Sequence, residues 1–204
     1  MICVICVICV ICGIGVVAQP GELIERTLAI VGGQVITLAD TRAATSLGLI
    51  EIGKSADPVD SATTLLVERE LILREVQRYA PPEPAESAIE ARVESVRQRF
   101  ADAAALDRAL EATGFSDVRL RAWVRDDLRI QAYLAQRFAA AGAPTEQEIA
   151  LAYTSRRAEF EKAGTSFEQA TPLLREQLSA ARRKELIADW VTDLRRRTEV
   201  VLLK

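Results

Sequence analysis

Apolar and polar residues follow two different patterns along this chain, and the first of them is found near its beginning. Two runs of β-branched and apolar residues, TLAIV and QVITL, flank the pair Gly32-Gly33. Strand-type runs joined by two glycines predict a β-hairpin, because the tight turns that match strand twist require positive φ. A two-stranded hairpin alone is marginally stable in water. The hairpin therefore needs a further strand and a helix to pack against.

After the hairpin, the apolar residues recur at three- and four-residue spacing among charged residues. This spacing is typical of amphipathic helices, and capping residues, glycines and prolines mark where the helices begin and end. We predict about six helices. One of them begins at a capping box formed by Thr145 and Glu148 and carries Ile149, Tyr153 and Phe160 on one helix.

The last forty residues contain the longest predicted helix. Ser166 opens a capping-box pattern, but Pro172 is disfavoured in a helix interior. We therefore predict an isolated turn at residues 167–170 and a new helix with Thr171 as its N-cap and Pro172 in the first helical position. That helix is predicted to continue to Arg197.

A final apolar run, residues 199–203 with the sequence EVVLL, has the composition of a strand. Its best partner is the hairpin at the other end of the chain. The predicted fold is therefore mainly α, a multi-helix domain with a small β-sheet formed by the N-terminal hairpin and the C-terminal strand. The five-residue link EKAGT before Ser166 leaves no room for a second domain.

Composition narrows the chemistry. The 204 residues include 26 basic, 29 acidic and no histidine, and the net charge is −3. The interspersed charges do not indicate a nucleic-acid partner. Without histidine the chain lacks the commonest general base, the commonest metal ligand and any Ser-His or Cys-His pair. The adjacent carboxylates Asp126 and Asp127 have no accompanying nucleophile, so we expect no enzyme, no catalytic residues, no metal and no cofactor.

The first residues form an apolar triplet repeat, MICVICVICVIC, and the first charged residue is Glu22. The small residues ending at Ala18 have the pattern of a signal-peptidase site. We predict a signal peptide at residues 1–18 and a mature domain at residues 19–204, which places the protein in the periplasm or outside the cell. A retained membrane anchor is the alternative. The C-x-x-C spacing is also found in metal and redox sites, but here no polar residue accompanies the cysteines, which are Cys3, Cys6, Cys9 and Cys12.

Three parts of the chain resemble the SurA family of periplasmic chaperones outside its parvulin domains. The first combines AIVGGQVIT at residues 29–37 with LVERELIL at residues 66–73. The second is the helical run at residues 99–131. The third combines residues 146–153 with residues 166–203. Together they cover nearly all of the predicted mature chain.

This resemblance implies a SurA-like helical chaperone domain that binds unfolded, often outer-membrane, polypeptides without ATP. In the family a parvulin prolyl-isomerase domain commonly lies between the segment around Tyr153 and the final helix. The short link found here, and the lack of histidines, imply that isomerase activity is absent. The alternative function is a non-catalytic scaffold subunit with the same fold and a fixed protein partner. A membrane is expected as a partner only if the N-terminal segment is retained.

Four aromatic residues are the candidates for contacts with a client peptide, namely Trp123, Phe138, Tyr153 and Phe160. Such residues can line a groove for aromatic-rich segments. The alternative for each of them, as for Trp190, is ordinary packing in the protein interior at helical spacing.

Overall fold

A computed structural model describes residues 26–139 and 143–203 of the chain. The predicted signal peptide and the four cysteines lie outside these residues. The elements in chain order are β1 (Thr27–Val31), β2 (Gln34–Thr37), α1 (Leu38–Ser46), α2 (Pro58–Tyr79), α3 (Glu86–Arg97), α4 (Ala103–Thr113), α5 (Asp117–Arg137), α6 (Glu146–Ser155), α7 (Arg157–Lys162), α8 (Phe167–Arg197) and β3 (Val200–Leu202). The mainly helical fold with a small sheet is confirmed.

The three strands form one antiparallel sheet in the order β2-β1-β3. The turn between β1 and β2 places Gly32 at φ 52° and Gly33 at φ 91°, the left-handed region that favours glycine. β3 pairs with β1, with Val201 opposite Ile30. The predicted pairing of the two ends of the chain is therefore confirmed.

The largest hydrophobic core, called here the first core, lies on the inner face of the sheet. α2 contacts β1 and β2, and both α5 and α8 contact α2. α2 begins at Pro58, because the Asp57 side chain accepts a hydrogen bond from the Asp60 N–H at 3.0 Å and proline suits the first turn of a helix. The first core includes Val31, Ile36, Leu71, Val76, Trp190 and Leu194.

Two further cores lie beside the first. The second core joins α1, α3, α4 and α5 and includes Leu47, Val93, Leu106 and Leu120. The third core is smaller and joins α6, α7 and the amino-terminal half of α8; its buried members are Ile149, Phe160, Ala170 and Leu174. α8 therefore contributes to two cores at its opposite ends.

The predicted start of the last helix at Thr171 is wrong. α8 is continuous from its N-cap Ser166, whose side chain accepts from the Gln169 N–H at 3.3 Å while the Gln169 side chain accepts from the Ser166 N–H at 2.9 Å. Thr171 instead donates its hydroxyl to the Phe167 carbonyl at 2.8 Å. Pro172 is the sixth residue of α8. It removes one backbone donor, and the capping box keeps the preceding turn helical.

The single helix predicted to carry Ile149, Tyr153 and Phe160 is also wrong, because the chain breaks at Arg156 into α6 and α7. In one straight helix, residues seven apart lie about 10 Å apart along the axis. The break instead brings the rings of Tyr153 and Phe160 to 5.1 Å, nearly parallel. No helix among the described residues combines the length and apolar character needed to span a membrane.

Candidate functional site

The four aromatic residues predicted as peptide contacts do not meet in one groove. Trp123 lies on α5 between the first and second cores. Phe138 ends the same helix and packs edge-on against Trp190, with ring centres 5.7 Å apart. Tyr153 and Phe160 stack on each other in the third core. The structure therefore brings one predicted pair together and separates it from the other two residues.

The pair in the third core fills space within the fold. Phe160 is buried, and the Tyr153 hydroxyl donates to the Thr165 carbonyl at 3.2 Å. The ring of Phe167 meets Tyr153 edge-on at 5.3 Å. Because both rings already have partners and the one hydroxyl is satisfied, this pair is better suited to holding α6, α7 and α8 together than to receiving a ligand.

Trp123 does border an open cleft. This cleft, called here the Trp123 cleft, has a volume of about 170 Å³ and lies between β2, the start of α1, and helices α2 and α5. Cofactor and drug pockets usually measure about 300–1,000 Å³, so the Trp123 cleft matches a single side chain better than a cofactor. Its lining consists of Gln34, Val35, Ile36, Asp40, Leu66, Arg69, Glu70, Arg119 and Trp123.

Arg69 holds the indole of Trp123 in place. Its guanidinium carbon lies 3.7 Å from the centre of the ring, a cation–π contact, and its Nη2 donates to the Trp123 carbonyl at 3.2 Å. Asp127, one turn further along α5, lies 3.5 Å from the Arg69 Nε. Burial lowers the pKa of the Arg69 guanidinium, and the carboxylate of Asp127 opposes that effect. The ring is thus fixed between α2 and α5.

Burial also changes the pKa values of acidic groups near the Trp123 cleft. Burial raises the pKa of Glu70 and of Asp126, and the nearby charge of Arg69 opposes the rise in both. At the rim, Arg119 and Asp40 form an ion pair at 2.9 Å. The lining therefore mixes apolar side chains with charged ones that are largely balanced by neighbours, and it offers no strong field for an ion.

Arg69 was not singled out in the sequence as a functional residue. It lies in the charged stretch ERE of α2, whose opposite face is buried. A charged stretch of this kind usually marks the solvent-exposed face of a helix. Its partner on α5 is 54 residues away. No local spacing signal connects two residues so far apart, so the contact follows from the packing of α2 on α5.

Comparison with models of known protein families and with curated proteins found no match to this chain. Among residues 26–139 and 143–203, no group of three or more His, Cys, Asp or Glu side chains is placed to hold a metal ion. The Trp123 cleft and the surfaces around it are therefore the candidate functional site.

Proposed function

We propose that this protein is a periplasmic, ATP-independent holdase that binds unfolded or outer-membrane polypeptides and has no prolyl-isomerase activity. The observation that carries the proposal is the open Trp123 cleft, which places an immobilised indole beside exposed Val35 and buried Leu66. The resemblance to the SurA family supports the same function.

The physical mechanism is reversible burial of single apolar side chains of a client. Fully burying a Leu-sized or Phe-sized side chain contributes about 1.5–3 kcal/mol. One such contact is weak, so the client is released without nucleotide hydrolysis. Arg69 pre-orders the ring of Trp123, which lowers the entropy lost when a client binds.

The connection before α8 supports the absence of isomerase activity. α7 ends at Lys162 and α8 begins at Phe167, so residues 163–166 alone join them. The SurA family commonly carries its parvulin domain in this region. Here α8 instead follows α7 directly and packs against α6 and α7 in the third core.

The proposal is tested by mixing the full chain with a chemically unfolded client and following aggregation by light scattering. We expect suppression by the wild-type chain and a loss of suppression in Gln34→Lys, which places a charge at an exposed position in the lining of the Trp123 cleft. Gln131→Lys is the matched control, because Gln131 is also an exposed glutamine and does not line the cleft.

Two outcomes would contradict the holdase proposal. The first is no suppression of scattering by the wild-type chain at several-fold excess over the client. The second is capture of one stoichiometric folded partner in place of unfolded polypeptides, which would favour the scaffold function.

A further inference from the structure

The strand β3 lies at an edge of the sheet and is unusually apolar for that position. Among the described residues it pairs with β1 on one side and with no strand on the other. Val201 is 39% exposed, Leu202 52% and Leu203 41%. An edge strand presents a row of unpaired N–H and C=O groups that can template another strand.

The hydrogen bonds of β3 show which backbone groups are free. The Gly32 N–H donates to the Glu199 carbonyl at 2.8 Å, and the Leu203 N–H donates to the Leu28 carbonyl at 2.9 Å. Odd-numbered residues of β3 therefore face β1. Because backbone groups alternate in direction along an antiparallel strand, the N–H and C=O groups of Val200 and Leu202 point away from β1. These groups have no hydrogen-bond partner in the described part of the chain.

The edge strand is short, with three residues, but it lacks the other features that usually block strand addition. Proteins protect exposed edges with charges, prolines or bulges. Residues 200–203 contain no charge and no proline, and the ladder between β1 and β3 has no bulge. On the outer face, Val35, Ile30 and Val201 lie side by side across the three strands and form an apolar row.

The other edge, β2, is less suited to strand addition. The Val35 carbonyl already accepts a hydrogen bond from the side-chain amide of Gln34 at 3.4 Å. β2 also borders the Trp123 cleft, where the side chains of Arg69 and Arg119 lie beside it. At β3, by contrast, the backbone groups that point away from β1 are unpaired among the described residues, and the side chains of the strand are uncharged.

We propose that β3 binds an extended, uncharged segment of a client polypeptide, which adds to the sheet as a fourth strand. The free backbone groups of Val200 and Leu202 bind the segment's main chain, and the apolar row accepts its β-branched or apolar side chains. This inference rests on the proposed function and names the class of client segment: strand-forming, low in charge and free of proline.

The test uses a fluorescein-labelled peptide of alternating valine and threonine residues and the same peptide N-methylated at two adjacent central residues, which blocks both of its edges. We expect the full chain to bind the first peptide by fluorescence anisotropy. The N-methylated peptide should bind about tenfold more weakly, since the edge that faces β3 loses one hydrogen bond and gains a methyl group that holds the strands apart.

A matched pair of variants tests β3 itself. Leu202→Pro removes an outward N–H and leaves the donors that face β1 in place, a position where edge strands accept proline. Leu202→Ala shortens the same side chain and keeps the N–H. We expect Leu202→Pro to weaken peptide binding about three- to tenfold and Leu202→Ala to weaken it less, with the helical circular dichroism of both variants unchanged.

Three outcomes would overturn the inference. Equal binding of both peptides, or equal loss in both variants, would show that the contact is through side chains. A dimer of the wild-type chain that Leu202→Pro abolishes in sedimentation would show that a second copy occupies the edge. The holdase proposal fails separately, if the wild-type chain does not suppress client aggregation.

Discussion

At the scale of single residues, the contact between Arg69 and Trp123 contributes most to the candidate site. The arginine is largely buried on α2, stacks on the indole and is itself compensated by Asp127. From the sequence alone, Arg69 is one of several charged residues on a helix face, and Trp123 is one of several aromatic residues at helical spacing. Their pairing gives the Trp123 cleft a fixed apolar wall, and it depends on the way α2 and α5 cross.

Glu70, next to Arg69 on α2, makes the stability of the protein depend on pH. Burial raises its pKa, so the folded protein binds this proton more tightly than the unfolded chain does. The resulting destabilisation is fully present above the raised pKa and disappears as the pH falls below the unfolded value of about 4.3. We expect Glu70→Gln to raise the melting temperature relative to wild type at pH 8, and the difference to vanish near pH 4.

The measurement is thermal unfolding followed by circular dichroism at several pH values. Glu68→Gln, on the same helix, controls for the loss of one negative charge. A gain in Glu70→Gln that stays constant across this pH range would contradict a burial effect, because an uncharged replacement differs from wild type only where the carboxyl group is ionised.

At the scale of elements, most helix and strand boundaries follow from local chemistry. The capping box at Thr145 lies where it was predicted, and the capping box at Thr37, the N-cap at Asp57 and the left-handed Gly114 are local signals of the same kind. The start of α8 was misplaced because a proline was given more weight than the capping box at Ser166. A proline in the second turn costs one hydrogen bond, whereas the capping box satisfies orphan donors of the first turn.

Two alanine substitutions test whether Ser166 or Thr171 is the N-cap of α8. Ser166→Ala removes the N-cap and should lower the free energy of unfolding by about 1 kcal/mol. Thr171→Ala removes a hydroxyl that bonds within the helix, at a position where alanine is the better helix former, and should change stability by less than about 0.5 kcal/mol. Urea denaturation of the full chain measures both. A larger loss in Thr171→Ala would place the N-cap at Thr171 instead.

At the scale of the whole molecule, α8 connects distant parts of the fold. Its carboxy-terminal half contributes Trp190 and Leu194 to the first core, and its amino-terminal half contributes Leu174 to the third core. The third core has four buried members and the first core has fourteen. The end of the molecule that contains α6 and α7 is therefore held by much less buried apolar surface than the end that contains the sheet.

This difference predicts two kinds of response to core truncation. Leu174→Ala, at a site 1% exposed, should cost about 2–5 kcal/mol locally and accelerate hydrogen exchange in α6 and α7, while the amides of β1 and α2 stay protected. Leu194→Ala, at a site 3% exposed, is the matched control and should accelerate exchange in the sheet as well. Equal acceleration everywhere in Leu174→Ala would show that the two cores unfold as one unit.

Local patterns were sufficient for the fold class, the hairpin, the closing strand and most helix ends, because turns, caps and periodicity act over a few residues. They did not predict the break at Arg156, which allows Tyr153 to stack on Phe160. They also did not show that Trp123 borders an open cleft while Tyr153 and Phe160 pack against each other, or that β3 leaves an apolar edge unpaired. Those features arise from contacts between residues far apart in the chain, and they exist only once the helices have packed.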